Sequence, residues 1–223
     1  MMRGESLIAH SFFSSRPGAL FHADPHPGNL FITTDGRLGL LDWSLVGRLR
    51  KEQRIQLVDL LIGAATLDPA RLQQVVEKLA NGSLEKKVAE QILEGGLREL
   101  RWGTFPGVGW LTRLLDNLVL EARARFNGDL LLFRKSLLVL EGLLADLSGI
   151  DERARENFLD RALLAKLAEQ LVFEWPERFR QPMEARSFQS HCSTADLLSL
   201  LCSGPAIWAR YWGGAWRDLA QLF

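Results

Sequence analysis

The residues best suited to chemistry lie in the segment Asp24 to Asn29 (DPHPGN) and at Asp42, thirteen positions beyond Asn29. An Asp and an Asn five positions apart, followed by an Asp between apolar residues, form the pattern by which kinase-type sites position a hydroxyl and chelate magnesium. In that pattern Asp24 orients the attacking hydroxyl and accepts its proton, whereas Asn29 and Asp42 supply oxygen ligands to Mg²⁺. The sequence therefore predicts magnesium-dependent chemistry on a nucleotide phosphate.

A short hairpin is predicted to bring these two segments together. Two β-type runs, 30–34 and 37–41, are joined by Asp35-Gly36, which is a strong signal for a hairpin turn. Antiparallel neighbours lie about 5 Å apart, so Asn29 before the first strand should lie near Asp42 after the second.

The loop itself contains features that stiffen it. Pro25, Pro27 and Gly28 are predicted to turn the chain so that Asp24 and Asn29 face the same ligand. The other interpretation left open is a Pro/Gly-rich turn with solvated polar groups.

Two histidines, His22 and His26, lie four positions apart and flank a carboxylate, which is a spacing found in metal sites. Pro25 and Pro27 preclude the continuous helix that would align such a pair on one face. We therefore expect His22 to pack behind the loop and to hydrogen-bond its backbone.

Composition limits the classes of function. The 223 residues can bury a substantial core, and 27 basic against 27 acidic residues give no field that would attract nucleic acid. Cys192 and Cys202 are expected to be free thiols. The N-terminus lacks the features of a secretory signal, and the longest uncharged run, 197–209, is shorter than the roughly 20 residues that span a bilayer.

Helical periodicity begins at Lys51 and continues through most of the chain. The fold class predicted is mainly α, with the short β-hairpin at the catalytic and metal loops. Helices are expected over 51–65, 69–80, about 84–100, 111–127, 129–148 and 152–173. In the last segment Trp208, Tyr211, Trp212 and Trp216 define one helical face; burial against the core and contact with a membrane surface or a partner both remain open.

The motif segments resemble a known family. Residues 21–30 (FHADPHPGNL) and 41–49 (LDWSLVGRL) look like the UbiB (aarF-domain) atypical kinases, which are linked to ubiquinone biosynthesis. The resemblance continues to about Leu72, and residues 134–142 are similar to a later helix of that family. It implies a protein-kinase-like C-lobe over 1–150 and a helical C-terminal extension over 151–223.

The resemblance also implies roles for individual residues. Asp24 would be the catalytic-loop aspartate, Asn29 and Asp42 the metal ligands, and Gly28 would shape the loop that binds the cofactor. The implied cofactors are ATP and Mg²⁺. The implied partners are the nucleotide and quinone-biosynthesis proteins or lipid, at a cytoplasmic location on the periphery of the inner membrane.

Two departures from the family pattern affect this interpretation. Asp42 is followed by Trp43 and Ser44 where the family has Phe and Gly, so the carboxylate is kept while the apolar anchor is enlarged and the glycine is lost. The motif also begins at residue 22, which leaves no room upstream for a nucleotide-binding lobe. The chain is therefore expected to resemble a C-terminal lobe alone, and to be inactive unless a longer chain or a partner supplies the other lobe.

Two alternatives stay open. Aminoglycoside and choline phosphotransferase-like kinases share the Asp-Trp pair after a similar loop, although 46–49 and the 54–59 helix look more like the UbiB continuation. The second alternative is a truncated, inactive pseudokinase or a helical scaffold, which keeps the loop but does not bind the γ-phosphate.

Overall fold

The computed structural model describes residues 6–34, 38–148 and 152–220. Its fold is mainly α, as predicted. The described helices are α1 (Ser6–Phe12), α2 (Lys51–Thr66), α3 (Pro69–Leu79), α4 (Lys86–Arg101), α5 (Val108–Leu120), α6 (Gly128–Ser148), α7 (Glu152–Arg178) and α8 (Thr194–Ala220). The described strands are β1 (Gly18–His22), β2 (Leu30–Ile32), β3 (Leu38–Leu40) and β4 (Val46–Arg50).

The strands form two nested antiparallel pairs. The predicted hairpin is β2 with β3, in the register Leu30 opposite Leu40, and the outer pair is β1 with β4. Both hairpin strands are shorter than predicted, and the predicted turn at Asp35-Gly36 lies outside the described residues. The outer pair is close-packed at Gly47, where an added Cβ would lie 2.2 Å from the ring of Phe21.

The chain divides into two compact units, and the boundary predicted at residue 150 stays a prediction. Unit 1 comprises 1–54, 127–177 and 188–191, and its core contains three packed phenylalanine rings. The ring of Phe133 stacks on Phe12 at 6.1 Å and meets Phe21 edge-on at 5.3 Å. These contacts fix α6 against β1.

Unit 1 also buries a polar cluster. The fully buried guanidinium of Arg54 donates to the carbonyl oxygens of Phe12, Ser14 and Arg16. The imidazole of His191, also fully buried, contacts Arg54 and hydrogen-bonds the carbonyl of Phe12 at 2.7 Å. The cluster ties the segment between α1 and β1 to the start of α2.

Unit 2 comprises 55–126, 178–187 and 192–223. Its helix α3 begins as predicted, because the Asp68 side chain accepts from the backbone of Arg71 at 3.0 Å and Pro69 occupies the first turn. A network of ion pairs within this unit joins Arg71 and Arg186 to Asp59 and Asp196.

Two predicted helix ends are wrong. The helix expected to reach Asn127 ends at Leu120, because Arg123 adopts φ 52° and leaves the helical conformation. The helix expected to end at Phe173 continues past Pro176 to Arg178. Pro176 removes one backbone donor, a loss that is confined to the last turn of α7.

The aromatic face of α8 is exposed where it is described. Trp208 is 61% exposed and Trp212 is 52% exposed, and their rings stack at 6.2 Å. Burial against the core is therefore wrong for these two residues, whereas the side chains of Tyr211 and Trp216 lie outside the described part. None of the described helices is long and apolar enough to span a membrane. Both cysteines are free, as expected.

Candidate active site

The loop between β1 and β2 is held by its own polar groups. Its 3-10 turn, Pro27–Asn29, is capped by His26, whose Nδ1 accepts from the backbone of Gly28 at 3.1 Å. An added Cβ on Gly28 would lie 2.8 Å from the His26 ring, so a larger residue would force this cap to move. Gly28 thus lets the cap and the turn approach each other closely.

Asn29 is buried at the end of this turn, and its amide orientation follows from one hydrogen bond. The Nδ2 group donates to the backbone carbonyl of Asp24 at 3.1 Å. Because Nδ2 is committed to the loop, Oδ1 is the end of the amide that remains for a cation. The same bond closes the loop between the two residues that the sequence pattern singles out.

Asp42 follows the second hairpin strand and is linked to Asn29 through the backbone. The amide of Leu41 donates to the carbonyl of Asn29 at 2.8 Å, as the predicted hairpin requires. Asp42 itself adopts φ 49°, a left-handed conformation that Asp tolerates better than most residues. Hydrogen bonds from the side chain and backbone of Ser44 lower the pKa of Asp42, so its carboxylate is ionised at neutral pH.

One buried imidazole connects the two loops. The Nδ1 of His22 accepts from the amide of Asp24, so the proton lies on Nε2. That nitrogen lies 3.0 Å from the carbonyl of Leu41 and 3.1 Å from the carbonyl of Asp42. The ring of Trp43 meets His22 edge-on at 5.1 Å. The prediction that His22 packs behind the loop and bonds its backbone is confirmed.

The Asp24 carboxylate has a cationic partner that the sequence pattern did not reveal. Lys135 on α6 places its Nζ 2.9 Å from Oδ1 of Asp24, and Nε2 of His26 lies 3.8 Å from Oδ2. The hydrogen bond from Lys135 is the main reason that the pKa of Asp24 is lowered. Asp24 is therefore held as an anion beside a positive charge.

Helix α6 is fixed at the position that this contact requires. The hydroxyl of Ser136 donates to the carbonyl of His22 at 2.7 Å, and the carboxylate of Asp129 accepts from the backbone of Arg48 at 3.0 Å. Ser136 is the residue that could have indicated the contact between α6 and the Asp24 loop. It is a buried polar residue on the apolar stripe formed by Phe133, Leu137 and Leu140, and a buried hydroxyl needs a hydrogen-bond partner on a neighbouring element.

Replacing Lys135 with Met should raise the pKa of Asp24, because the ammonium favours the ionised carboxylate. Wild-type Asp24 should then stay ionised to a lower pH than the variant does. The measurement is a pH titration of the carboxyl carbon by NMR. Lys135→Arg keeps the charge and serves as the control; a pKa of Asp24 that is the same in Lys135→Met and wild type would contradict the contact.

The donor chemistry of the predicted ligands suits Mg²⁺. Magnesium takes hard oxygen ligands and is usually held by one or two carboxylates together with phosphate and water, a set that Asp42 and the Asn29 amide oxygen fit. Within the described ranges there is no group of three or more His, Cys, Asp or Glu residues that could hold a metal ion. That Asp24, Gly28, Asn29 and Asp42 act together on a cofactor stays a prediction.

Comparison with known proteins shows which family this segment resembles. Residues 5–76 match the ABC1 atypical kinase-like domain. An uncharacterized protein of Synechocystis sp. is 41% identical over 76 residues, which are 34% of this chain and 19% of that protein. The probable protein kinase UbiB of Aliivibrio fischeri is 33% identical over 160 residues, covering 63% of this chain and 27% of UbiB.

A plant relative extends the comparison. The Arabidopsis thaliana protein ACTIVITY OF BC1 COMPLEX KINASE 1, chloroplastic, is 29% identical over 131 residues, or 56% of this chain and 19% of the plant protein. The chain thus spans about a fifth to a quarter of the length of these curated relatives. No solved structure matches it. The matched residues include both loops and the strands that position them, so residues 5–76 are similar to the ABC1 atypical kinase-like domain, and the resemblance to UbiB and the aarF-domain kinases is confirmed.

Proposed function

We propose that this chain supplies the catalytic and metal loops of an atypical kinase or ATPase of the UbiB type that depends on ATP and Mg²⁺. The observation that supports this most is the position of His22, whose imidazole bonds the backbone of the Asp24 loop on one side and of the Asp42 loop on the other. A buried link of this kind holds the two loops in a fixed relation, which a phosphoryl-transfer site needs before any substrate binds.

The proposed roles follow from the chemistry of each side chain. Asn29 and Asp42 would hold Mg²⁺, which supplies positive charge to the phosphate oxygens when it is bound. Asp24 orients the acceptor hydroxyl or water and takes its proton as the oxygen attacks the γ-phosphorus, while the bond from that phosphorus to the β–γ bridging oxygen breaks and ADP leaves. Lys135 keeps Asp24 ionised and limits the rotation of its carboxylate through the 2.9 Å contact.

The substitution Asp24→Asn tests the catalytic part of this proposal. It should lower the rate of ATP turnover about a hundredfold, because the amide cannot accept a proton. The affinity for Mg²⁺-ATP should stay within about threefold, since Asp24 is not a proposed metal ligand. Both quantities are measured with a nucleotide-binding lobe supplied by a longer chain or a partner, turnover as phosphate release and as transfer to added acceptors, and affinity by calorimetry.

The control for this experiment is Glu94→Gln, which removes one negative charge from an exposed site on α4. Turnover that is equal in wild type and Asp24→Asn would contradict the role of Asp24. A wild-type chain that binds Mg²⁺-ATP without turning it over would favour an inactive pseudokinase. Transfer to an aminoglycoside or choline would favour a small-molecule phosphotransferase.

We also propose that the protein acts in ubiquinone biosynthesis, in the cytoplasm at the periphery of the inner membrane. The named relative UbiB supports the first part, and the exposed apolar side chains Leu201, Trp208 and Trp212 of α8 support the second. Tryptophan rings are favoured at the interface between a membrane and water.

The double substitution Trp208→Ser and Trp212→Ser tests this placement. In a bacterium that lacks its own UbiB, the wild-type chain, expressed together with a nucleotide-binding lobe, should restore ubiquinone and sediment with membranes, whereas the double variant should move largely to the soluble fraction. Leu120→Ser is the matched control, because Leu120 is 78% exposed on α5 rather than on α8. Wild-type chain that is entirely soluble would contradict the membrane contact, and unrestored ubiquinone would contradict the pathway.

A further inference from the structure

A cavity of about 560 Å³ in unit 1 lies apart from the loops described above. None of Asp24, Asn29 or Asp42 lines it. Its walls come from α1, the segment after α1, strands β1 and β4, α7, and the segment 188–191. A volume of this size falls in the range of sites that bind small molecules.

Among the described residues, the cavity is lined by basic side chains and by no acidic ones. Arg16, Arg48 and Lys166 contribute three cations, and Gln170 and Gln189 contribute carboxamides. The chain as a whole has equal numbers of basic and acidic residues, so this lining departs strongly from the average of the protein. A cavity with such walls favours an anion.

Two of these cations are available to a ligand. In the described part of the chain, neither the Arg16 nor the Arg48 guanidinium forms an ion pair or a hydrogen bond. Lys166 differs, because its Nζ lies 2.8 Å from Glu169. Guanidinium groups suit phosphate, since each presents two or more N–H donors in a plane that match two phosphate oxygens.

The position of Arg48 depends on the sheet. Arg48 lies opposite Leu20 in the β1–β4 register, and its aliphatic stem runs over Gly18, where an added Cβ would lie 2.9 Å from Arg48 Cδ. Because Gly18 has no side chain, the aliphatic stem of Arg48 can lie on the sheet at this position. The guanidinium at the end of the stem then lies in the cavity wall.

Part of the lining is apolar. Ala9, Phe13 and Ala19 are buried, whereas Leu20 is 55% exposed although it lines the cavity. A large apolar side chain that is half exposed inside a cationic cavity gives a ligand an apolar surface to cover. An inorganic anion would use the cations alone, but an anion with an apolar group would use both.

We propose that this cavity is a second ligand site, specific for a phosphate monoester that bears a compact apolar group. Arg16 and Arg48 bind the phosphate, and Leu20 packs against the apolar group. The site needs no metal ion, since its positive charge comes from side chains. It is thus independent of the proposed magnesium site in both residues and cofactor.

Calorimetric titration of the chain with phenyl phosphate in excess EDTA tests this site. Wild type should bind one equivalent, and phenyl phosphate should bind more tightly than inorganic phosphate or benzoate. Arg16→Gln and Arg48→Gln should each weaken binding about tenfold, which is the effect of losing one charge-assisted hydrogen-bonding group at a solvent-accessible site. Leu20→Ser should weaken phenyl phosphate about threefold and leave inorganic phosphate unchanged.

Two controls make the outcome specific. Arg180→Gln removes a cation from an exposed position outside the cavity, and Asp42→Asn alters only the proposed magnesium site; both should bind phenyl phosphate like wild type. No binding to wild type, or equal binding to wild type and both cavity arginine variants, would overturn the proposal. Failure of Mg²⁺-ATP binding when a nucleotide-binding lobe is supplied, with phenyl phosphate binding intact, would overturn the kinase proposal and leave this one standing.

Discussion

Replacing Arg54 with Met should lower the free energy of unfolding by about 3 kcal/mol. Met fills a similar volume but donates no hydrogen bond, so the carbonyl oxygens of Phe12, Ser14 and Arg16 would lose a shared donor in a buried setting. The measurement is urea unfolding followed by far-ultraviolet circular dichroism.

Two further variants separate the loss of the guanidinium's directed N–H donors from the loss of its positive charge. Arg54→Lys keeps the charge but cannot direct donors to three carbonyls, so it should lie between wild type and Arg54→Met. Arg180→Met changes an exposed arginine in the same way and should stay within about 0.5 kcal/mol of wild type. An Arg54→Met variant as stable as Arg180→Met would show that the buried cluster contributes nothing.

Replacing Asp42 with Asn should remove the dependence of ATP binding on Mg²⁺. The wild-type carboxylate is ionised and exposed, and a unit charge about 2 Å from Mg²⁺ in a water-like medium contributes about a thousandfold to affinity. Asn has the same shape but no charge, so the loss should appear without unfolding. With a nucleotide-binding lobe supplied by a longer chain or a partner, titrations with ATP in Mg²⁺ and in EDTA give the ratio of affinities for each protein.

A matched carboxylate controls for the change in net charge. Glu94→Gln removes one negative charge from α4, and its Mg²⁺ dependence should equal that of wild type. If Asp42→Asn keeps the wild-type ratio of affinities in Mg²⁺ and EDTA, Asp42 does not bind the metal.

The elements around the site were predictable because their signals are local. The β2–β3 pairing follows from two β-type runs around a turn signal, and the start of α3 follows from Asp68 and Pro69, whose chemistry acts within a few residues. The role of His22 was predictable for a similar reason. The prolines on either side of His26 exclude the helix that would align His22 and His26 as a metal-binding pair. A hydrogen bond to the backbone of the loop was therefore the expected role of His22.

The features that the sequence did not reveal depend on distant contacts. Lys135 lies 111 positions from Asp24, and its place is set by the bond from Ser136 to His22 and by the packing of Phe133. The end of α5 was missed because apolar residues keep their helical spacing beyond Leu120, although the backbone turns at Arg123. The spacing of apolar residues indicates which side chains are buried, but it does not show where the helix ends.

Paramagnetic NMR with Mn²⁺ in place of Mg²⁺ shows whether Asn29 and Asp42 bind one divalent cation. With ADP present, substoichiometric Mn²⁺ should broaden the side-chain amide of Asn29 and the backbone amide of Ser44 together, and Asp42→Asn should restore both signals. Broadening of only one of them, or equal broadening of both in Asp42→Asn, would show that Asn29 and Asp42 do not bind the same cation.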